Sequence, residues 1–110
     1  MTVTLVRDIQ VEEYRGQGSN GVKIQKLINS PQAPNFAMRR FIIQKAGYTP
    51  HHSHNYEHEV FVLSGKGSVS EDGEEKDLKE GAVVYIQPNV KHQFKNIGEE
   101  AFVMLCLVPV

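Results

Sequence analysis

The chain has 110 residues, of which 40% are apolar and 23% charged, as in an ordinary globular protein. This length predicts one domain over residues 1–110. The formal charge of −1 at pH 7, without a basic stripe, excludes a typical nucleic-acid-binding protein. We find neither a signal peptide nor an apolar run that could span a bilayer, so we expect no membrane partner and a cytoplasmic location. The single cysteine, Cys106, excludes an internal disulfide and agrees with that compartment.

Short strands separated by turns are predicted along most of the chain. The first fifteen residues fit either a short helix or an edge strand. The loop 30–35 carries two prolines, which forbid a ladder there, and Asp72-Gly73 predicts a hairpin turn. Alternating apolar and polar residues, bounded by turn residues, predict the strands. They are expected at 22–29, 36–45, 59–63, 68–70, 76–80, 82–86, 92–96 and 101–108.

Strands that are separated by turn signals roughly every 8–12 residues indicate an all-β sandwich or barrel. The last predicted strand, 101–108, has apolar side chains at both parities. A strand that is apolar on both faces predicts one of two arrangements: a two-layer sandwich within one chain, or an outer face covered by another molecule. We favour the second arrangement and expect a homodimer.

Four of the five histidines lie within eight positions, at His51, His52, His54 and His58, and the fifth is His92. His52, His54 and His58 share a parity, so on an extended strand their rings would point to the same side. Imidazole nitrogens grouped in this way are common ligands of divalent transition metals. The stretch therefore predicts a metal site that His92 completes. His51 has the opposite parity and is expected to be an exposed neighbour or to lie behind the ligands.

Residues 47–65 match a known family motif, Gly-x5-His-x-His-x3,4-Glu-x6-Gly. Gly47 is followed by four residues, instead of five, before the sequence His52-Ser53-His54. Three residues then precede His58, and six more precede Gly65. His58 therefore stands where the family usually has glutamate, because neither adjacent glutamate keeps both the spacing and the parity.

Residues 81–96 match the second motif of that family, Gly-x5-Pro-x-Gly-x2-His-x3-Asn, with His92 and Asn96 in place. Gln87 replaces the proline and Asn89 replaces the second glycine. Asparagine tolerates a left-handed turn better than other non-glycine residues, so the loop can keep its shape. On these two motifs the chain resembles the cupins, which are small jelly-roll barrels built around a metal. The resemblance implies an all-β double-stranded β-helix over nearly the whole chain.

The resemblance also implies that His52, His54, His58 and His92 converge on one metal inside the barrel, as in small manganese-binding cupins. At this spacing, ligands are a better interpretation than solvated loop residues. Four neutral imidazoles would leave a divalent ion its full +2 charge, whereas three histidines and a glutamate would leave +1. An octahedral ion would keep two positions open for substrate. Manganese is the ion we expect, with iron, nickel, copper or zinc as chemically possible alternatives.

Further candidates surround the predicted ligands. Phe94 shares the parity of the histidine two residues before it and is expected to face the cavity. The resemblance suggests that the face of the last strand with Met104 and Cys106 also lines the pocket. Of two adjacent arginines only one can face inward, where it would bind an anionic substrate. Periodicity does not choose between them, and we favour Arg39 over Arg40.

Three functions agree with this resemblance. The first is a metal-dependent, dioxygenase-like oxidoreductase that acts on a small aromatic or enolic molecule. The absent glutamate removes the base that dioxygenase relatives often use, so peroxide-dependent oxidation and Lewis-acid isomerisation stay open. The second is a non-catalytic module that senses a metal or a small ligand, and the third is a cupin-type sugar isomerase or epimerase. We favour the enzyme, with a small molecule as its substrate.

Overall fold

The computed structural model describes residues 1–110 and contains nine β-strands and one 3₁₀ turn, Val6–Asp8. No helix in it has the length and apolarity needed to cross a membrane. The first fifteen residues contain both a helical turn and a two-residue edge strand. The strands are β1 (Glu12–Glu13), β2 (Asn20–Ile28), β3 (Phe36–Tyr48), β4 (His58–Ser64), β5 (Gly67–Glu71), β6 (Glu74–Leu78), β7 (Val83–Ile86), β8 (His92–Asn96) and β9 (Phe102–Pro109).

The strands form one curled antiparallel sheet, in the order β6-β5-β8-β3-β9-β4-β7, with β2 beside β3 and β1 beside β2. β3 lies between the group β6-β5-β8 and the group β9-β4-β7. It pairs with β2 and β9 along most of its length. At its end, Tyr48 pairs with Lys95 of β8. The all-β jelly-roll fold class predicted from the sequence is confirmed.

β3 extends three residues beyond the predicted strand end at residue 45. Ala46 has a φ of 65°, and the register against β2 shifts between Asn20 and Val22. A side chain at Gly47 would lie 2.8 Å from the carbonyl oxygen of Asn20. The chain therefore passes this point through a bulge that only a glycine fits, and residues 46–48 form the irregular end of β3.

The core is formed by alternate side chains of the central strands, which face the interior of the barrel. Phe41 and Ile43 of β3 are buried against Val60 of β4 and Met104 of β9. The same alternation turns specific polar residues inward. Arg39 follows the inward phase of β3, His58 that of β4, and Cys106 that of β9, so the hydrophobic pattern decides which chemistry-bearing side chains reach the interior.

An apolar patch covers the outer face of three adjacent strands. Phe61 of β4 pairs with Val83 of β7 and with Leu105 of β9. Phe61, Val83 and Tyr85 are 43%, 78% and 55% exposed. We call Phe61, Val83, Tyr85 and Leu105 the outer patch. No element of the chain covers this patch, so the two-layer sandwich considered from the sequence is not formed here.

Candidate metal centre

A cavity inside the barrel is lined by thirteen residues, and four of them are histidines. All eight residues predicted from the sequence to form the site line this cavity, namely His52, His54, His58, His92, Arg39, Phe94, Met104 and Cys106. His51 does not line it and is exposed. Five lining residues were not foreseen, namely Tyr14, Phe41, Thr49, Pro50 and Tyr56.

Main-chain hydrogen bonds join the two motif loops. His52 and His92 form an isolated antiparallel bridge, in which each backbone N–H donates to the other residue's carbonyl at 3.1 and 2.9 Å. The backbone N–H of Asn89 donates to the carbonyl of His54 at 2.7 Å. Residues 53–57 are irregular, so the extended strand assumed for the histidine stretch is absent. The bridge, and not strand parity, therefore brings His52 beside His92.

Three of the histidines are close enough to hold one ion. The ligand atoms of His52, His54 and His92 all lie within 4.8 Å of one another. Their ring centroids are 5.1 Å apart for His52 and His54, 5.2 Å for His52 and His92, and 5.0 Å for His54 and His92. This donor set, made of imidazole nitrogens alone, suits a divalent transition metal.

Backbone carbonyls set the orientation of two of these rings. Nδ1 of His54 lies 2.9 Å from the carbonyl oxygen of Tyr56, and Nδ1 of His92 lies 2.9 Å from that of Val90. A carbonyl only accepts, so in each neutral ring Nδ1 carries the hydrogen and Nε2 keeps its lone pair. Nε2 of His54 is buried without a hydrogen-bond partner. Because an unpaired buried acceptor is destabilising, a metal ion fits this position.

His58 enters the cavity from the sheet and has different surroundings. Its ring stacks on that of His54, with centroids 4.2 Å apart and planes 8° from parallel. Its Nε2 is also buried without a partner, and its Nδ1 lies 3.2 Å from Sγ of Cys106. The ring centroid is 5.3 Å from that of His92. His58 lies outside the group of three with close ligand atoms, and its role as a fourth ligand stays a prediction.

Burial favours the neutral form of three of the cavity histidines. Burial, together with the neighbouring His54 and His92, lowers the pKa of His58 to about 3. Burial also lowers the pKa of His52 and of His92. In His92 the hydrogen bond to the carbonyl of Val90 acts in the opposite direction and raises the pKa, but burial has the larger effect. Burial raises the pKa of the Cys106 thiol, although the Arg39 guanidinium opposes this. The imidazoles of His52, His58 and His92 therefore favour the neutral form, which is the form that binds metals.

Arg39 is the arginine that lines the cavity. Its guanidinium carbon lies 5.1 Å from the ring centroid of Phe41, and its Nε is buried without a hydrogen-bond partner. Arg40, on the other face of β3, donates through Nη1 to Oε1 of Gln25 at 2.6 Å. An unpaired guanidinium N–H is a ready donor to an anionic oxygen of a ligand.

Two tyrosines complete the aromatic lining. Tyr56 stacks on His54 with ring centroids 4.1 Å apart, and Tyr14 meets the ring of Phe41 edge-on at 5.3 Å. Tyr56 lies in the irregular segment 53–57, where strand parity does not predict the direction of a side chain. Tyr14 carries no signal in the sequence either, because it reaches the cavity through an edge pairing in which its backbone N–H donates to the carbonyl of Val22 at 2.9 Å.

Comparisons with known proteins agree with this geometry. A family model described as a cupin domain matches residues 39–108. An uncharacterized protein of Aquifex aeolicus is 27% identical over 105 residues, which are 94% of this chain and 84% of that protein.

Solved structures resemble this chain over nearly its whole length. The polyketide cyclase RemF from Streptomyces resistomycificus has a TM-score of 0.93 and 27% identity, covering 99% of this chain and 79% of RemF. A predicted oxalate decarboxylase from Thermotoga maritima has a TM-score of 0.89 and 18% identity, covering 99% of each chain. At that identity the second likeness concerns the fold alone.

Proposed function

The chain belongs to the cupin domain family, and from this we propose that it is a metal-dependent enzyme acting on a small organic molecule. The observation that carries the proposal is the group formed by His52, His54 and His92, with ligand atoms within 4.8 Å of one another. We propose His58 as the fourth ligand and manganese as the ion. When bound, such an ion would supply a Lewis acid, and in the case of manganese or iron also a redox centre, at the substrate oxygens.

The cavity limits the substrate to a small, flat and weakly acidic molecule. Its volume of about 60 Å³ is well below that of a pocket for a drug-sized ligand. Phe41, Phe94 and Tyr56 line it, and none of the lining residues is an aspartate or a glutamate. Without a carboxylate base, the substrate must ionise easily, as an enol or a β-dicarbonyl compound does. Arg39 would donate an N–H to the resulting enolate oxygen.

Two reaction types use an enolate held in this way. The first is the dioxygenase-like oxidation that we expect from the sequence. The second is a redox-neutral ring closure, and the 27% identity to the polyketide cyclase RemF over 99% of this chain favours it. In both reactions the residues of this chain have the same tasks, because the histidines hold the ion and Arg39 stabilises the negative oxygen.

The proposal can be tested in two steps. Protein purified without chelator should contain about one transition-metal ion per chain by elemental analysis. The loaded protein is then given enols, β-diketones and phenylpropenoids with oxygen, without oxygen, and with peroxide. Turnover that needs oxygen or peroxide supports the oxidoreductase, and conversion without an oxidant supports ring closure. Tight binding without turnover would identify a sensing module, and a protein that cannot be loaded would refute the metal site.

We further propose that residues 1–110 act as one cytoplasmic domain that forms a homodimer through the outer patch. Exposed apolar side chains on the adjacent strands β4 and β7 support the dimer, because patches of this kind are usually covered. Light scattering should give twice the 12.4 kDa mass of the chain. Phe61→Lys should give the monomer, while Val3→Lys, at an exposed apolar residue outside the patch, should not. A monomeric wild-type protein would refute the dimer.

A further inference from the structure

The four histidines of the cavity differ in what their second ring nitrogen contacts. Backbone carbonyls receive the Nδ1–H of His54 and of His92, at 2.9 Å in both cases. These acceptors are main-chain atoms, so the ring orientation does not depend on which side chain is nearby. His58 has no carbonyl at this position, and its Nδ1 lies 3.2 Å from Sγ of Cys106. A thiol sulfur can donate or accept, so this contact alone leaves the position of the ring hydrogen open.

The sulfur itself is held in place by the sheet. Cys106 of β9 is buried, and it is the cross-strand partner of Arg39 on one side and of Val60 on the other. Nη2 of Arg39 lies 3.3 Å from Sγ. A guanidinium has no acceptor, so Arg39 is the donor in this contact. One lone pair of the sulfur is therefore occupied, and Sγ is fixed beside the ring of His58.

We propose that Cys106, held by Arg39, is a positioning residue for the fourth metal ligand. Its sulfur accepts the Nδ1–H of His58, so the Nε2 lone pair of that ring points into the cavity. The inference rests on the proposed metal site. In the opposite arrangement the thiol would donate to Nδ1, and the hydrogen on Nε2 would remove His58 from the ligand set.

The surroundings of Nε2 distinguish the two arrangements. His58 is 8% exposed, and its Nε2 is buried without any hydrogen-bond partner. A hydrogen on this nitrogen would have no acceptor, whereas a lone pair there can bind a metal ion. The sulfur thus has the role that a carboxylate or carbonyl usually has behind a metal-bound histidine. Because a thiol is neutral, it adds no negative charge to the all-imidazole site.

Zinc affinity, measured by competition with a chelator, tests the role of the sulfur. Cys106→Val keeps a small apolar side chain and removes the acceptor, and should weaken zinc binding roughly 10- to 100-fold. Cys106→Ser keeps an acceptor and should restore most of the affinity. Val62→Ala is the matched control, because Val62 is buried in the same core but does not line the cavity. It should lower the melting temperature and leave the zinc affinity unchanged.

Side-chain NMR of the zinc-loaded wild-type protein tests the same inference without any variant. His58 should show a hydrogen on Nδ1 that exchanges slowly with solvent, and this exchange should be faster in Cys106→Val. A hydrogen on Nε2, or wild-type zinc affinity in Cys106→Val, would overturn the inference. If His58→Ala also bound zinc with wild-type affinity, the fourth ligand of the proposed function would fail. Loss of zinc in that variant combined with normal Cys106→Val would leave the proposed function intact and overturn only the role of Cys106.

Discussion

The cavity has two walls that are built on different principles. We call His52 and His54, which lie in a loop, together with His92 at the start of β8, the loop wall. The sheet wall consists of Arg39, His58 and Cys106. On the loop wall, backbone hydrogen bonds bring two residues together in the His52–His92 bridge, and carbonyls orient the rings of His54 and His92. On the sheet wall, side chains orient one another across β3, β4 and β9.

Because of this difference, substitutions of neighbouring side chains affect the two walls differently. Main-chain acceptors remain when a neighbouring side chain changes, so the loop wall depends on its ligands and on the loop conformation. The sheet wall depends on the identity of each side chain, because a different residue at 106 or 39 removes the contact. His58, which replaces the glutamate of the family motif, lies on the sheet wall. The predicted ligand position at which this chain departs from the family motif is therefore on the wall that depends on side-chain identity.

The largest effect is expected on the loop wall. His92→Ala removes a ring whose ligand atom lies within 4.8 Å of those of His52 and His54. The metal affinity should fall by more than about 100-fold, which is more than is typical for residues that only support the ligands. The backbone bridge to His52 does not use the side chain and should survive. His51→Ala, at an exposed residue, is the control and should bind metal normally. Equal metal contents in the two variants, by elemental analysis, would contradict the assignment.

Acid should destabilise the metal-free protein through both walls. Burial lowers the pKa of His52, His58 and His92 in the folded state, so below pH 6.5 the unfolded chain binds more protons. Stability should therefore fall as the pH falls from 6.5 towards 3, with a limiting slope from His58 alone of about 1.4 kcal/mol per pH unit. Urea unfolding at pH 7.5, 5.5 and 4.5 measures this slope. His58→Ala should reduce it, and a slope that matches the wild-type value would show that the ring is not responsible.

His58→Glu tests the sheet wall by restoring the residue of the family motif. The added carboxylate lowers the charge of an occupied site from +2 to +1 and suits manganese better than imidazole does. Manganese affinity should rise by about tenfold, which corresponds to about 1.4 kcal/mol. Weaker manganese binding than in the wild-type protein would exclude this position from the ligand set.

The smallest effect is expected in the loop that supports the loop wall. Asn89 has a φ of 67°, and its backbone N–H donates to the carbonyl of His54. Asn89→Ala should cost about 1 kcal/mol of stability, because the left-handed conformation is strained for alanine. Asn89→Gly should leave stability near the wild-type value. Thermal unfolding of the two variants compares them, and equal losses would show that the side chain, not the backbone conformation, matters.

The sequence alone determined the fold class and the histidines of the cavity. Strands and turns have local sequence patterns, and these patterns predict the fold class. The two motifs place His52, His54, His58 and His92 at spacings that are typical of the family. Asn89 adopts the left-handed conformation expected of a residue in place of glycine, since that preference is local. His52, His54 and His58 face one cavity and His51 does not, as parity predicted, but the premise of an extended strand was wrong, because residues 53–57 are irregular.

Only the tertiary structure decided which side chains meet around those histidines. Periodicity divides β3 into two faces without saying which is inward. Closure of the barrel places Arg39 in the cavity lining and Arg40 against Gln25 on the other face. Tyr14 reaches the cavity through an edge pairing that its own sequence does not signal. Contacts between distant strands depend on register and closure of the sheet, which are properties of the folded barrel and leave no pattern in any single segment.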